Sequence, residues 1–394
     1  MKKKLFFFST NRADFGLQLH LLKKFSNSNK FDITLVVTGS HLSLKFGNTF
    51  SDIKKLAPKK IKIIKIKIEN LDHGYFNEKF NYFQKKFNVL FSKYKIDLVF
   101  LTGDRFEILP VALNCLFKNI PLIHLHGGEL TYGAVDDSIR YAISKIARLH
   151  FVTTQQYKKR LLQIGENPKN VIVSGSPILE HVKKYAKYNF NELKKNMAYF
   201  KKPFVLCTYH PESSNYKSNI VNLKLLVKCL RKLKNHNVLF TYPNFDDGNQ
   251  ELIKYLRQIE KDKNFYLSKS LGIEKYFSFL KHCDLVIGNS SSGIIEAASF
   301  KKPVVNLGCR QQGREKGENI LNCSFIEEKI DYSLKRALSD RFIKKVKKVK
   351  NIYYKKNASK IIVDTCRRFR LNENFKKFYD LKFQKNTKFK IKNQ

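Results

Sequence analysis

Short apolar runs of strand length alternate with stretches whose apolar residues recur at helical spacing, and this alternation constrains the fold more than any other feature. Leu5–Ser9, Ile33–Thr38, Ile61–Ile68, Asp97–Thr102, Pro121–His126, His150–Thr153 and Val171–Ser174 read as strands. Gly16–Phe25, Phe76–Tyr94, Phe106–Phe117, Ser138–Leu149 and Gln155–Ile164 read as the helices between them. Such βα alternation predicts a parallel sheet covered on both faces. Residues 181–203, rich in Lys, Asn and Tyr and ending in Lys201-Lys202-Pro203, interrupt the pattern. Phe204–Tyr209, Asn237–Tyr242, Phe265–Ser268, Leu285–Gly288 and Val304–Leu307 then restart it. A chain of 394 residues exceeds one typical hydrophobic core. The expected architecture is therefore α/β, with two doubly wound, Rossmann-like domains over 1–180 and 203–357 and the ligand site in the cleft between them. A last helix, about Ala358–Arg370, and a basic tail to residue 394 either extend the second domain or pack back on the first.

Composition narrows the function classes. Hydrophobic residues make up 43% of the chain, which excludes wholesale disorder. Nowhere do eighteen apolar residues run together, so no membrane-spanning helix is expected. Met1-Lys-Lys-Lys-Leu-Phe-Phe-Phe8 imitates the start of a signal peptide, but the apolar run stops at Phe8 without a small-residue cleavage site, and a cytoplasmic chain is expected. Seven Cys without a CxxC pair argue for reduced thiols rather than a disulfide framework or a zinc ribbon. The formal charge is +43, yet 62 of the 76 cations are Lys, spread along a chain rich in Asn, Ile and Phe and lacking Trp. A bias toward A/T-rich codons accounts for that, and no nucleic-acid partner is expected. Residues 341–394, with 19 Lys+Arg against 3 acids, are the local exception.

Polar residues collect where the inferred strands end, which is where an open α/β sheet binds ligands. Asp104, Arg105 and Glu107 follow one strand; His124, His126 and Glu129 accompany the next; Asp136, Asp137 and Arg140 open the following helix. Asp104 or Asp136 alone could be a helix cap. The carboxylates at these successive loops exceed what capping needs, and their mutual repulsion is expected to raise some pKa values and to suit acid/base work. In the second half, His210-Pro-Glu212 ends a strand, and Gly288-Asn289-Ser290-Ser291-Ser292-Gly293 ends another before a helix read over Ile294–Phe300. Such a loop offers hydroxyls and backbone N–H groups to a phosphate, with Glu296 placed to accept from ribose hydroxyls. Arg12, Arg310 and Arg314 stand out because arginine is scarce here, and their guanidinium groups suit a diphosphate. His41 also follows a strand. No HExxH, Cys/His cluster, GxGxxG after the first strand or Walker A sequence is present, so neither a metal nor a nucleotide cofactor is expected.

Taken in order, Arg12-Ala-Asp-Phe-Gly16, Thr38-Gly-Ser-His41, Gly103-Asp-Arg-Phe-Glu107, His126-Gly-Gly-Glu129, Asp136-Asp-Ser-Ile-Arg140, His210-Pro-Glu212, Gly288–Gly293 and Arg310-Gln-Gln-Gly-Arg314 resemble the hydrolysing UDP-N-acetylglucosamine 2-epimerases. The resemblance is strongest to the sialic-acid-pathway enzymes that make free N-acetylmannosamine. Non-hydrolysing relatives carry Glu-Ala-Gly-Leu-Arg, Pro-Glu-Glu and His-Arg-Arg-Glu stretches where this chain has Gly-Gly-Glu129, Val-Asp136-Asp137 and His210-Pro-Glu212. One departure is Thr10, where the family usually has Gly.

The resemblance implies a glycosyltransferase-B-like arrangement, a nucleotide-sugar substrate, no cofactor, and a homodimer or homotetramer. It also implies elimination of UDP to a 2-acetamidoglucal, followed by addition of water at C1 and reprotonation at C2 from the other face. Asp104, Glu129 and Asp136 would supply base and acid, with His210 on the phosphate side. Arg12, His41, Arg105, Arg140, Asn289, Ser290, Ser291, Gly293, Glu296, Arg310 and Arg314 would bind substrate. Two enzymatic alternatives remain at this point: the same reaction on a GDP-linked 2,4-diacetamido sugar of legionaminic-acid synthesis, and a glycosyltransferase of the same architecture.

Overall fold

The computed structural model describes residues 1–43, 49–67, 76–132, 134–195, 197, 199–212, 218–243, 248–370 and 376–381. Two wholly parallel sheets form its frame. The first contains β1 (Lys3–Ser9), β2 (Phe31–Val37), β3 (Lys62–Lys65), β4 (Leu98–Thr102), β5 (Leu122–Leu125), β6 (Leu149–Val152) and β7 (Val171–Val173) in the order β3-β2-β1-β4-β5-β6-β7. The second contains β8 (Phe204–Thr208), β9 (Asn237–Thr241), β10 (Phe265–Ser268), β11 (Leu285–Gly288), β12 (Val304–Leu307) and β13 (Ile320–Cys323) in the order β10-β9-β8-β11-β12-β13. The doubly wound reading therefore holds for both halves. The expected strand over 61–68 is shorter, and its residue 68 lies outside the described residues. β13 was not expected: Ile320–Cys323 is only partly covered and carries an exposed Asn322, so its sequence lacks the continuous apolar signature of a central strand.

Period-2 geometry explains why Leu5-Phe-Phe-Phe8 forms the centre of the first sheet. Leu5 and Phe7 face one layer, where Phe7 meets Phe25 edge-on at 5.5 Å between ring centroids. Phe6 and Phe8 face the other, where Phe8 meets Phe87 at 5.6 Å. Each buried side chain of this kind stabilises by roughly 1.5–3 kcal/mol, enough to fix which helix covers which face. The expected helix over Phe106–Phe117 begins instead as a 3₁₀ turn, Phe106–Ile108, because Pro110 suits only the first turn of the α-helix Leu109–Phe117.

The C-terminal helix, Ala358–Arg368, packs back on the first half. Ser359 donates its backbone N–H to Glu180 Oε2 at 2.9 Å, Arg367 Nε reaches Ser28 Oγ at 3.2 Å, and Lys3 Nζ donates to the Phe369 carbonyl at 3.0 Å. The core containing Leu5 and Phe7 runs on through Ile178, Phe204, Val304 and Ile362, so one continuous apolar layer joins the two sheets. Among the described residues no helix is long and apolar enough to cross a membrane. All seven cysteines are free, and only Cys309 is partly exposed.

Candidate active site

Strand order reverses between β1 and β4 in the first sheet and between β8 and β11 in the second. A parallel sheet leaves a crevice at such a switch point. The loops that emerge there are Thr10–Asn11, Gly103–Arg105, Tyr209–Glu212 and Asn289–Ser290. Gly288 makes the last of these possible. Its φ is +128°, and a Cβ would stand 2.0 Å from the Thr208 carbonyl oxygen, so only glycine lets β11 approach the end of β8.

A cleft of about 1100 Å³, open to solvent, lies between the halves. Arg12, His41, His210, Ser290, Ser291, Tyr276 and Glu296 line it. Arg12 begins the helix Arg12–Ser26, capped by Asn11, and reaches across to the second half, where Nη2 donates to the Tyr242 carbonyl at 2.9 Å and Nη1 to that of Lys269 at 3.1 Å. Neutral carbonyls hold the guanidinium without cancelling its charge. Ser290 caps the short helix Ser291–Ile295, its Oγ accepting from Ser292 N at 3.4 Å, and Tyr276 donates to Ser292 Oγ at 2.6 Å. The helix expected over Ile294–Phe300 is thus one α-turn followed by the 3₁₀ turn Ala297–Phe300. Glu296 is buried, its Oε2 finds no partner among the described residues, and burial pushes its carboxyl up to about 8.

Next to this pocket stands a cluster of carboxylates and arginines. Arg140, 1% exposed, donates to the Glu129 carbonyl at 2.8 Å, to Asp137 Oδ1 at 2.9 Å, to Thr131 Oγ1 at 2.9 Å, and to Asp104. Glu129 lies 2.7 Å from Arg314, which comes from the loop after β12, and 2.7 Å from His126 Nδ1. Burial alone would raise both carboxyls. Arg140 and Arg314 outweigh it at Asp104, and Arg314 with His126 outweighs it at Glu129, which is held down at about 2. The expectation that carboxylate repulsion raises pKa values fails for this pair, because each carboxylate is matched by a buried guanidinium. Arg314 and Glu129 also act on Glu296, which ties the cluster to the pocket.

Residues 23–367 match a family model described as UDP-N-acetylglucosamine 2-epimerase. The chain belongs to that family. A GDP/UDP-N,N'-diacetylbacillosamine 2-epimerase (hydrolyzing) of Campylobacter jejuni is 39% identical over 345 residues, covering 86% of this chain and 89% of the relative. Polysialic acid biosynthesis protein P7 of Escherichia coli is 31% identical over 384 residues, covering 96% and 98%. In fold, the crystal structure of UDP-GlcNAc 2-epimerase from Neisseria meningitidis bound to UDP-GlcNAc superposes with a TM-score of 0.78 at 17% identity, covering 93% of this chain and 99% of that one.

Within this 2-epimerase fold, several residues expected to touch substrate are committed elsewhere. His41 is fully buried and spends both ring nitrogens, on Ser9 Oγ at 2.8 Å and Thr49 Oγ1 at 2.7 Å, and burial lowers its pKa to about 3. Asn289 holds the His210 backbone, accepting from its N–H at 2.7 Å and donating to its carbonyl at 2.8 Å, so it fixes His210 rather than facing the cleft. Gly293 faces β12: a Cβ there would meet Val304 Cγ1 at 3.1 Å. Arg105 pairs with Glu107 at 3.2 Å. Arg310 donates its backbone N–H to Glu212 at 3.3 Å and Nη1 to the Asn289 carbonyl at 3.2 Å. Asp136 and Asp137 occupy the first turn of the helix Asp136–Ile146, and the Arg140 contact goes to Asp137.

Asp14 escaped the sequence reading, although it lies inside the Arg12–Gly16 stretch, because an acid in a first helical turn looks like an ordinary partner of the helix dipole. Burial pushes it up to about 7 despite hydrogen bonds from Thr10. Those bonds also show where the Thr10 side chain goes: its hydroxyl turns to Asp14 Oδ2 at 2.6 Å. Away from the cleft, His20, Glu180 and His181 bring ligand atoms within 4.8 Å of one another, a grouping no sequence spacing displays. The His20 and His181 ring centroids lie 3.8 Å apart with the planes tilted by 42°, Glu180 Oε2 is engaged by Ser359, and burial with His181, Lys24, Lys23 and Lys184 pushes the His20 pKa down to about 4.

Proposed function

We propose that this chain is a hydrolysing 2-epimerase of a nucleoside-diphosphate 2-acetamido sugar. The observation that carries the reading is the buried Glu296 Oε2, without a partner among the described residues, in a cleft that also presents Ser290, Ser291 and the Arg12 charge. Ribose hydroxyls would satisfy the buried Glu296 carboxyl, and the diphosphate would sit against the serine hydroxyls and the cation. The ionised carboxylates of Asp104 and Glu129 lie on the sugar side.

In the proposed reaction a carboxylate takes the C2 proton, the C–H electrons form the C1=C2 bond, and the C1–O bond breaks to release the nucleoside diphosphate. Water then gives its hydroxyl to C1, and a proton returns to C2 on the opposite face. The C2–H has no adjacent carbonyl to acidify it, so stabilising the leaving diphosphate by Arg12 and the serine loop is the larger demand. Elimination followed by hydration causes no net oxidation, and the chemistry requires no redox cofactor.

The 39% relative favours N,N'-diacetylbacillosamine linked to UDP or GDP as the sugar. The motif resemblance and the likeness to protein P7 favour a second reading, UDP-N-acetylglucosamine giving UDP and free N-acetylmannosamine for sialic-acid-type sugars. Incubation with each nucleotide sugar and NMR identification of products tests both. Free 2-epimerised sugar plus nucleoside diphosphate is expected, and a stable nucleotide-linked epimer would refute hydrolysis.

A further inference from the structure

The basic C-terminal segment finds no role in the chemistry above, yet part of it is built into the first half of the molecule. Lys376 Nζ donates to the carbonyls of Ser144 at 3.1 Å, Lys145 at 2.9 Å and Ala147 at 2.7 Å. These carbonyls end the helix Asp136–Ile146, where backbone acceptors lack intrahelical partners and the dipole is negative. Lys376 also pairs with Glu166, itself 1% exposed and bonded at 2.8 Å to the buried His150. The other lysine at Glu166, Lys145, is half-exposed and 3.7 Å away. Two neighbours seat the segment. Tyr379 N donates to the Gly165 carbonyl at 3.0 Å, and the Phe378 ring lies over Gly165, 4.5 Å from the Lys145 ammonium.

The same helix carries active-site groups one turn further up. Ser144 Oγ meets His124 Nδ1 at 2.9 Å, and His124 Nε2 meets the Gly103 carbonyl at 2.7 Å, next to Asp104. His124 is also paired in register with His150 across β5 and β6. Arg140, four residues before Ser144, holds Asp104 and Asp137. Lys376 thus holds the end of the helix that carries Arg140, together with the buried Glu166–His150 pair, whose imidazole lies beside His124 in the sheet.

We infer that Lys376 is a positioning residue for the Asp104–Arg140 pair, an inference that rests on reading this pair as part of the active site. A shift of the helix along its axis moves Arg140 directly and Asp104 through Ser144, His124 and Gly103. Displacement of about 1 Å at a reacting centre typically costs on the order of a hundredfold in rate.

The test compares turnover in the full-length chain with the nucleotide sugar that the wild-type protein hydrolyses. Lys376→Met is expected to lower kcat by about ten- to a hundredfold, with KM and UDP affinity within about threefold, because the Ser290–Glu296 part of the nucleotide pocket lies on the other half. Lys376→Met with Glu166→Gln also removes the buried charge that Lys376 balances; it should recover thermal stability while kcat stays low. Recovery of kcat along with stability would reduce Lys376 to a structural counter-ion and overturn the inference, as would wild-type turnover in Lys376→Met. If Lys376→Met fails to fold, Phe378→Ala decides: a loss of about three- to tenfold in kcat is expected from a loosened segment, and unchanged kcat overturns the inference. Failure of the functional reading is distinct, since there the wild-type protein hydrolyses no nucleotide sugar.

Discussion

Arg314 stands 2.7 Å from Glu129 across the cleft, joining the loop after β12 to the loop after β5. Glu129 is 1% exposed, so this is a buried ion pair between the two halves. Glu129→Gln leaves Arg314 without its carboxylate in a dry site, which typically costs about 3–5 kcal/mol. Turnover should fall by on the order of a hundred- to ten-thousandfold, since the amide cannot take a proton. Thermal melting and steady-state kinetics check the two effects separately. Near wild-type kcat would remove Glu129 from the proton-transfer set.

The same pair predicts a pH dependence of opposite sign to that of Asp14. Glu129 is held at about 2 against an ordinary 4.5, so its contribution is present above 4.5 and is lost as pH falls toward 2. Asp14 is raised to about 7 from 3.8, so its carboxyl favours the fold below 3.8 and progressively less as pH rises to 7. Asp14→Asn should therefore change stability little at pH 4 and raise it, relative to wild type, by up to about 4 kcal/mol at pH 8. Denaturant unfolding at both pH values reads this difference, and a stability gain independent of pH would contradict it.

Nucleotide binding should separate residues that line the cleft from those that only build it. Glu296→Ala, Ser291→Ala and Arg12→Ala should each weaken UDP binding, and a hydrogen bond to a charged group corresponds to about ten- to a hundred-and-fiftyfold in affinity. Gly293→Ala should leave UDP affinity unchanged and act on stability instead, because its added methyl meets Val304 at 3.1 Å. Calorimetric titration of UDP is the measurement. Equal affinity in the three cleft variants would reduce the serine loop to a helix cap.

The sheets and the switch-point loops were legible because apolar periodicity and loop position are local properties. β1 could be read from Leu5-Phe-Phe-Phe8 alone, whereas β13 could not, since half-burial leaves no run to read. At the site, residue types were legible and partners were not. Nothing in the sequence tells that Arg12 will meet a carbonyl 230 residues away, or that His41 will spend both nitrogens on hydroxyls. Whether a carboxyl rises or falls depends on such partners. Asp104 and Glu129 are held low by Arg140 and Arg314, while burial raises Glu296 and Asp14, the latter an acid in a first helical turn.

Isotope incorporation tests the proposed chemistry most directly. Elimination removes the C2 proton completely, and reprotonation draws on solvent or on an acid that exchanges with it. In D2O the released sugar should therefore carry one deuterium at C2, read by NMR or mass spectrometry. Asp136 and Asp137 occupy the first turn of one helix, but the Arg140 contact goes to Asp137. Asp137→Asn should accordingly disturb the Arg140 cluster and lower both half-reactions together. Asp136→Asn should lower turnover by about a hundred- to ten-thousandfold if it moves a proton, and loss of the hydration half alone would release the 2-acetamidoglucal. Product without deuterium at C2 would rule out reprotonation from solvent or from an acid that exchanges with it, because a C2 hydrogen retained from substrate means that the C–H bond either never broke or was remade by an internal transfer.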